Sequence, residues 1–137
     1  MPRLPSRPRP PERANPARIA AERAGRRAEM LAGLYFQLSG YRVLYRRYRT
    51  PLGEIDLVLT RFGTLVFVEV KARTCLAEER AALEAVDRRR LVRAAQYFVS
   101  HHPRLAERPM RFDVIFLARR AWPRHVRNAF DASGRIR

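Results

Sequence analysis

Three kinds of residue are scarce in this chain of 137 residues. Cys75 is the sole cysteine, which excludes a disulfide framework or a cysteine metal cluster and fits a reducing cytoplasm. Lys71 is the sole lysine among 29 basic residues, so arginine carries the rest of the positive charge. Acidic residues number only 13, which leaves a net charge of +16. Such an excess usually has a polyanionic partner, so we expect nucleic acid, with DNA the leading candidate.

Long apolar runs are missing as well. No segment approaches the ~20 apolar residues needed to cross a bilayer, and the first residues lack the uninterrupted apolar stretch of a secretory signal. The basic residues are scattered along the chain rather than gathered on one amphipathic helix, which argues against a membrane surface as the partner. We therefore expect a cytoplasmic protein that does not bind membranes.

Proline divides the chain into two parts. Six of the ten prolines fall in residues 1–16, together with several arginines, and such a segment forms neither a helix nor a β-ladder. We interpret residues 1–16 as a disordered Pro/Arg-rich arm and residues 17–137 as a single domain. Hydrophobic residues make up 47% of the chain, which is enough for a packed core.

Hydrophobic periodicity predicts two helices and five strands, the last one short. The helices are predicted at 17–39 and 78–100, and the strands at 41–48, 54–60, 64–71, 110–117 and 125–128. On the first helix, the spacing predicts a buried stripe of Met30, Leu31, Leu34, Tyr35 and Leu38. This order of elements implies an α/β fold with a central mixed β-sheet flanked by α-helices.

Two acids are predicted to face each other on a hairpin formed by the second and third strands. Only three residues separate these strands, which favours antiparallel pairing. Pairing of Thr60 with Leu65 then places Asp56 opposite Glu69, on strands that are otherwise apolar. Like charges in such positions destabilise a sheet unless one carboxylate holds a proton or a divalent cation lies between them.

A metal ion would neutralise this acid pair. Carboxylate oxygens suit Mg²⁺ or Mn²⁺, and the backbone carbonyl of Val70 is a natural further ligand. Lys71 would stand beside the metal, where an ammonium can orient an attacking water or stabilise charge on a phosphoryl oxygen. A planar guanidinium could not replace it without changing that geometry. The alternative is a surface hairpin with salt bridges, such as Glu54 to Lys71, but the apolar strands and the clustering of the acids weigh against it.

Two strand motifs, GEIDLV at 53–58 and FVEVKAR at 67–73, closely resemble those of the YraN-type family of small bacterial proteins. That family is similar to Holliday-junction resolvases and belongs to the PD-(D/E)xK, restriction-endonuclease-like group. The resemblance covers residues from about 25 to 130 and implies a restriction-endonuclease-like fold. Junction-cutting relatives work as dimers, since two strands need two sites, so a homodimer is one option; no self-complementary surface is recognisable, and the sequence leaves the oligomeric state open.

The resemblance also assigns roles to individual residues. Asp56, Glu69 and Lys71 match the acid, acid and lysine of the catalytic set, and Glu54 matches the glutamate that precedes the aspartate. Glu29 matches a first-helix glutamate that can reach the metal in related nucleases, an ordinary solvated position being the alternative. The expected ligands of Mg²⁺ or Mn²⁺ are therefore Asp56, Glu69, Val70, Glu29 and Glu54.

Several arginines are candidates for contact with nucleic-acid phosphates. They are Arg47, Arg73, Arg88, Arg89, Arg90 and Arg93, with a solvated charged face as the alternative for those on the second helix. Position 47 and the run 88–90 also depart from the family pattern, outside the acid-acid-lysine set. Asp113 is expected to be structural. Trp122 is expected in the core or at an interface, with base stacking as the alternative.

These observations leave three classes of function open. The first is a metal-dependent DNA endonuclease, with branched or damaged DNA as a candidate substrate. The second is a nucleic-acid-binding module on a nuclease fold that no longer cuts, and the third is a basic structural protein such as a ribosome-associated RNA binder. The intact set of Asp56, Glu69 and Lys71 favours the first, because a protein that only binds a polyanion has no need of paired acids.

Overall fold

A five-stranded mixed β-sheet with helices packed on it forms the fold. The structure, a computed structural model, describes residues 15–73 and 79–137. The helices are α1 (Pro16–Leu38), α2 (Glu79–Glu84) and α3 (Arg88–Ser100), and the strands are β1 (Arg42–Thr50), β2 (Gly53–Arg61), β3 (Thr64–Arg73), β4 (Met110–Ala118) and β5 (Arg124–Phe130). The strands lie side by side in chain order, with β3 and β4 parallel and the other neighbours antiparallel. The predicted α/β, restriction-endonuclease-like class is confirmed.

Helix α1 begins where the proline-rich segment ends. Asn15 Oδ1 accepts a hydrogen bond from the amide of Ala17 at 3.0 Å. Pro16 occupies the first helical turn, where its missing N–H is not needed. The last two residues of the predicted arm thus cap and start α1, and residues 1–14 lie outside the described residues.

The buried face of α1 differs from the predicted stripe. The buried residues of α1 are Ala28, Ala32 and Phe36, which are spaced four apart, and Gly33. Tyr35 is partly buried against the same core, whereas the rest of the predicted stripe is exposed: Met30 (69%), Leu31 (57%), Leu34 (51%) and Leu38 (81%). The prediction was wrong because small side chains let a helix approach a sheet closely, yet alanine adds little to a hydrophobic pattern.

Strand β3 is covered on both faces, as its apolar run predicts. Leu65 and Phe67 pack in a core formed with α2 and α3. Val66 and Val68 pack in a second core, which includes Phe36 of α1. All four strand residues are fully buried, so β3 holds its polar carboxyl-terminal residues at a fixed place between two cores.

The register of the β2–β3 hairpin is as predicted from the pair of Thr60 and Leu65 to the pair of Leu57 and Val68. The paired ladder ends there, so Asp56 and Glu69 lie one position beyond its last pair. Beyond this pair, the amide of Val70 donates to the side chain of Asp56 at 2.8 Å. The parallel pairing of β3 with β4 is regular and brings the carboxyl ends of both strands to one edge of the sheet.

The second predicted helix is two helices in the structure. α2 ends at Glu84 and α3 begins at Arg88, with Asp87 as an N-cap whose Oδ1 accepts from the amide of Arg90 at 3.2 Å. The prediction of one continuous helix was wrong because a capping aspartate starts a new helix. Residue 78, where the predicted helix begins, lies outside the described residues. The fifth strand is confirmed and is longer than predicted. None of the described helices is both long enough and apolar enough to span a bilayer.

Candidate functional site

Three carboxylates from two elements converge beside the β2–β3 hairpin. Glu29 of α1 and Glu54 and Asp56 of β2 each offer an oxygen, and these oxygens lie within 4.8 Å of one another. All three residues are half-buried. A cavity of about 340 Å³ adjoins them and is lined by Glu22, Gly25, Arg26, Glu29, Arg47 and Glu54. The structure thus brings together three of the five predicted metal ligands, in an arrangement that favours a cation.

Asp56 is the acid whose protonation is most affected by this arrangement. Burial and the neighbouring charge of Glu69 raise the pKa of Asp56 to about 7, and Glu29 adds to the rise. The hydrogen bond from the Val70 amide and the charge of Lys71 oppose the rise in pKa but do not cancel it. Asp56 is therefore short of positive charge, which a divalent cation would supply.

Glu69 lies beside this cluster and is nearly inaccessible to solvent, with 4% of the residue exposed. Its Oε1 is 3.0 Å from the Nζ of Lys71 and 3.5 Å from an Nη of Arg90. Its Oε2 is buried and has no hydrogen-bond partner in the part of the chain that the structure describes. Because a buried carboxylate oxygen without a donor is unfavourable, this atom is a second position that a cation would satisfy.

Lys71 and Val70 complete the contribution of β3. Lys71 Nζ reaches the buried acid while 28% of its side chain remains exposed, so the ammonium lies between Glu69 and solvent. The amide of Val70 is bonded to Asp56, and the use of the Val70 carbonyl as a metal ligand stays a prediction. The predicted catalytic residues thus occupy neighbouring strands at one end of the hairpin.

Arg90 lies at this site, although the sequence predicted it only as a phosphate contact on the second helix. Its guanidinium donates to the backbone carbonyl of Glu54 at 3.2 Å as well as approaching Glu69. Gly53 makes room for it, since a Cβ added there would lie 2.8 Å from Arg90 Cγ. The signal was present as one member of a run of three arginines, which is also typical of a solvated helix face.

Arg47, a predicted phosphate contact, is engaged with an acid of the cluster. Its Nε donates a hydrogen bond to Glu29. This contact is the main reason that the pKa of Arg47 is raised. Arg47 also has a φ of +50°, a backbone conformation that residues other than glycine rarely adopt. Its role in binding phosphate stays a prediction.

The remaining predicted phosphate contacts lie on or near α3. Arg88 is half-buried and Arg89 is exposed. They line a cavity of about 640 Å³ together with Val86, Asp87, Ser133, Gly134 and Arg135. Arg93 is exposed on the same helix, and the side chain of Arg73 lies outside the described residues. Contact of these arginines with phosphates stays a prediction.

A second buried acid, Asp113 of β4, has a different environment. Arg111 donates to both of its oxygens at 2.8 Å, His125 lies 2.6 Å from Oδ2, and the amide of Asn128 donates to Oδ1 at 3.0 Å. Burial alone would raise the pKa of Asp113, but the hydrogen bonds from His125 and Arg111 lower it. Arg111 is also bonded to the hydroxyl of Tyr41 at 2.6 Å. This fully satisfied group fits the structural role expected for Asp113.

The donor set around Asp56 fits a hard divalent cation. It consists of carboxylate oxygens, one of them unpartnered and one belonging to an acid with a raised pKa. Oxygen ligands of this kind favour Mg²⁺ and Mn²⁺ over metals that prefer sulfur or imidazole. Asp56, Glu54 and Glu29 are the residues best placed to hold the ion, with Glu69 adjacent.

Comparison with known proteins gives one consistent family. The sequence profile described as "Uncharacterised protein family UPF0102" matches residues 28–117. The UPF0102 protein bll0669 of Bradyrhizobium diazoefficiens is 47% identical over 123 residues, covering 90% of this chain and 92% of the relative. A UPF0102 protein of Parvibaculum lavamentivorans is 48% identical over 127 residues, covering 90% of this chain and 93% of the relative.

A further example spans nearly a whole relative. The UPF0102 protein of Methylorubrum extorquens is 44% identical over 126 residues, covering 92% of this chain and 98% of the relative. The region that the family profile matches contains both strand motifs and the acids that surround Asp56. The chain belongs to the UPF0102 family, the YraN-type family that its two strand motifs indicate.

Proposed function

We propose that this protein is a metal-dependent endonuclease that hydrolyses phosphodiester bonds in DNA, with Mg²⁺ or Mn²⁺ as its cofactor. One observation carries the proposal. Asp56 and the buried, partly unpartnered Glu69 lie side by side next to the sole lysine. This arrangement is costly for the metal-free protein and fits a site that acquires a cation.

The chain's own groups divide the work of such a reaction. Asp56, Glu54 and Glu29 would hold the ion, and the ion when bound would supply Lewis acidity toward a phosphate and its attacking water. Glu69 Oε1 fixes the Lys71 ammonium at 3.0 Å. From there Lys71 can donate a hydrogen bond to a phosphoryl oxygen as negative charge grows on it, or hold the water that attacks.

The acids themselves argue against a module that only binds nucleic acid. A phosphate backbone is repelled by carboxylates, and contact with phosphates is made by basic side chains. This chain carries 29 basic residues and still places Glu29, Glu54 and Asp56 together. Their arrangement is advantageous once a divalent cation reverses the local charge, and that is the condition for catalysis.

The first experiment is a calorimetric titration of Mg²⁺ and Mn²⁺ into three proteins at pH 8. Wild type should bind, Asp56→Asn should lose binding, and Glu107→Gln should bind like wild type, because Glu107 is an exposed acid on a loop. Absence of binding in wild type, or equal binding in Asp56→Asn, would remove the metal site and leave a binding module.

The second experiment measures cleavage of labelled linear, nicked, single-stranded and four-way-junction DNA with each metal. Lys71→Arg keeps the positive charge but not the compact ammonium, so it should lose about 100-fold or more in cleavage rate while still binding DNA. Full activity in that variant would exclude Lys71 from the chemistry. Cleavage that persists in EDTA would exclude the metal.

A further inference from the structure

The turn between β4 and β5 follows the carboxyl end of β4, at the same end of the strands as Lys71. Because β3 and β4 are parallel, Lys71 pairs with Phe116 and Arg73 with Ala118. Phe116 also pairs with Arg124 on its other side. Residues 119–123 therefore form a turn beyond the row of the sheet in which Lys71 lies.

Trp122, the sole tryptophan of the chain, is near the end of this turn and is 89% exposed, so the expectation of a core position was wrong. It precedes Arg124 by two residues, about 7 Å along an extended chain, and β5 lies about 10 Å across the sheet from β3. Trp122 is thus within a few base steps of Lys71, at ~3.4 Å per step along one strand. So exposed an indole ring is open to stacking by a partner on its face.

The surroundings of Trp122 indicate the chemistry of that partner. Arg119 and Arg120 are exposed on the same turn, and no acidic residue occurs between positions 114 and 130. The turn has a defined shape, with an Arg120 φ of +59° and a hydrogen bond from the Ala121 amide to the Ala118 carbonyl at 3.4 Å. An exposed aromatic ring close in the chain to two exposed arginines fits stacking on a nucleic-acid base whose phosphates are held nearby.

We propose that Trp122 stacks on an unpaired base of the DNA held at the site, so that the substrate class is DNA with unpaired or readily unstacked bases next to the cleaved bond. This inference rests on the proposed function, since it uses the position of Lys71 to define the cleaved bond. In a fully paired duplex the base faces are covered by their neighbours. Trp122 therefore discriminates in favour of single-stranded, flapped or branched DNA.

A fluorescence experiment tests the proposal directly, because all tryptophan emission comes from position 122. A single-stranded oligonucleotide and a blunt duplex of the same length are titrated in EDTA, where cleavage cannot contribute. The single strand should quench the emission strongly and the duplex only weakly. Equal quenching by both, or none by the single strand, would overturn the proposal.

Affinity measurements on variants complete the test, with labelled oligonucleotides and fluorescence anisotropy. Trp122→Ala should weaken single-strand binding about tenfold or more and leave duplex binding within about twofold, whereas Trp122→Phe should restore most of the loss. Phe62→Ala is the matched control, because Phe62 is 93% exposed on the β2–β3 turn at the opposite end of β3. It should bind both DNAs like wild type.

The outcomes separate this inference from the proposed function. Unchanged single-strand binding by Trp122→Ala overturns the stacking role even if metal-dependent cleavage is intact. An equal loss on duplex and single strand also overturns it, because Trp122 would then be a general DNA contact. A selective loss in a protein that binds no metal supports stacking while contradicting the nuclease.

Discussion

Two buried aspartates on the same sheet have opposite environments. Asp113 on β4 accepts hydrogen bonds from Arg111 and Asn128 and contacts His125, and these contacts lower its pKa in spite of burial. Asp56 on β2 accepts a hydrogen bond from the Val70 amide, and burial with the charge of Glu69 raises its pKa to about 7.

The difference fits a structural role for Asp113 and the metal-binding role proposed for Asp56. A carboxylate that is retained for stability is surrounded by donors, since each unmet acceptor costs free energy. Asp56 has carboxylates near it where donors would stabilise the fold. A group that is unfavourable in the free protein is favourable in a complex, and acids with strongly shifted pKa values concentrate at such sites.

The largest expected effect is on Asp113. Asp113→Ala should lower the free energy of unfolding by about 3–5 kcal/mol, because it leaves the guanidinium of Arg111 buried without its acid. The measurement is urea unfolding at pH 8. A loss below about 1 kcal/mol would contradict the structural role.

The stability that Asp113 contributes also has a defined pH dependence. Its pKa is lowered on folding, so this contribution is complete above the unfolded value of 3.8 and is lost as the pH falls below it. The difference in unfolding free energy between wild type and Asp113→Ala should therefore shrink as the pH falls below the unfolded pKa.

Asp56→Asn should raise the free energy of unfolding at pH 8, whereas Asp113→Ala should lower it. The raised pKa means that Asp56 favours folding fully below the unfolded value of 3.8 and loses this contribution as the pH rises through about 7. Asparagine never ionises, so the metal-free variant should be more stable than wild type at pH 8, by on the order of 2–4 kcal/mol. The gain should vanish near pH 4. Destabilisation at pH 8 in EDTA would place Asp56 in the same class as Asp113.

Metal binding should release the proton that Asp56 holds. Below pH 7 the affinity for Mg²⁺ should fall about tenfold per pH unit, since one proton must leave for each ion bound. Calorimetry at pH 6 in buffers of different ionisation enthalpy should give close to one proton released per ion, and close to none at pH 8.5. Binding that is independent of pH between 6 and 8 would show that the ion does not contact Asp56.

Much of this contrast was predictable from the sequence, and the reasons are local. The three-residue separation and the apolar strands fix the hairpin register as far as the pair of Leu57 and Val68, and Asp56 and Glu69 follow this pair closely enough to interact. The two strand motifs identify the family, and Lys71 is the residue that matches the lysine of the family pattern. These signals depend on neighbours in the chain, so a single sequence is enough to read them.

The errors concern packing between distant elements and one local helix cap. The buried face of α1 is made by Ala28, Ala32 and Phe36, and a hydrophobic pattern gives greater weight to the larger leucines that remain exposed. The break at Asp87 depends on one capping hydrogen bond. The approach of Arg90 to Glu69 depends on the position of α3 over the sheet, which no short motif encodes.

Arg90 gives the smallest expected change in stability. Arg111 donates to Asp113 at 2.8 Å through two nitrogens, whereas Arg90 only approaches Glu69, at 3.5 Å, and its side chain is 33% exposed. Arg90→Gln should therefore destabilise the metal-free protein by about 1 kcal/mol or less, far below the effect expected for Asp113→Ala. Urea unfolding in EDTA at pH 8 measures both variants under the same conditions.

The same variant, Arg90→Gln, should strengthen metal binding although it slightly lowers stability. Removing a positive charge beside Glu69 lowers the repulsion of an incoming cation, so Arg90→Gln should bind Mg²⁺ roughly two- to tenfold more tightly than wild type at pH 8. Arg93→Gln is the control, because Arg93 is exposed on the same helix, and its affinity for Mg²⁺ should stay within about twofold of wild type. If Arg90→Gln loses stability with no gain in metal affinity, Arg90 only supports the fold, as Arg111 does at Asp113.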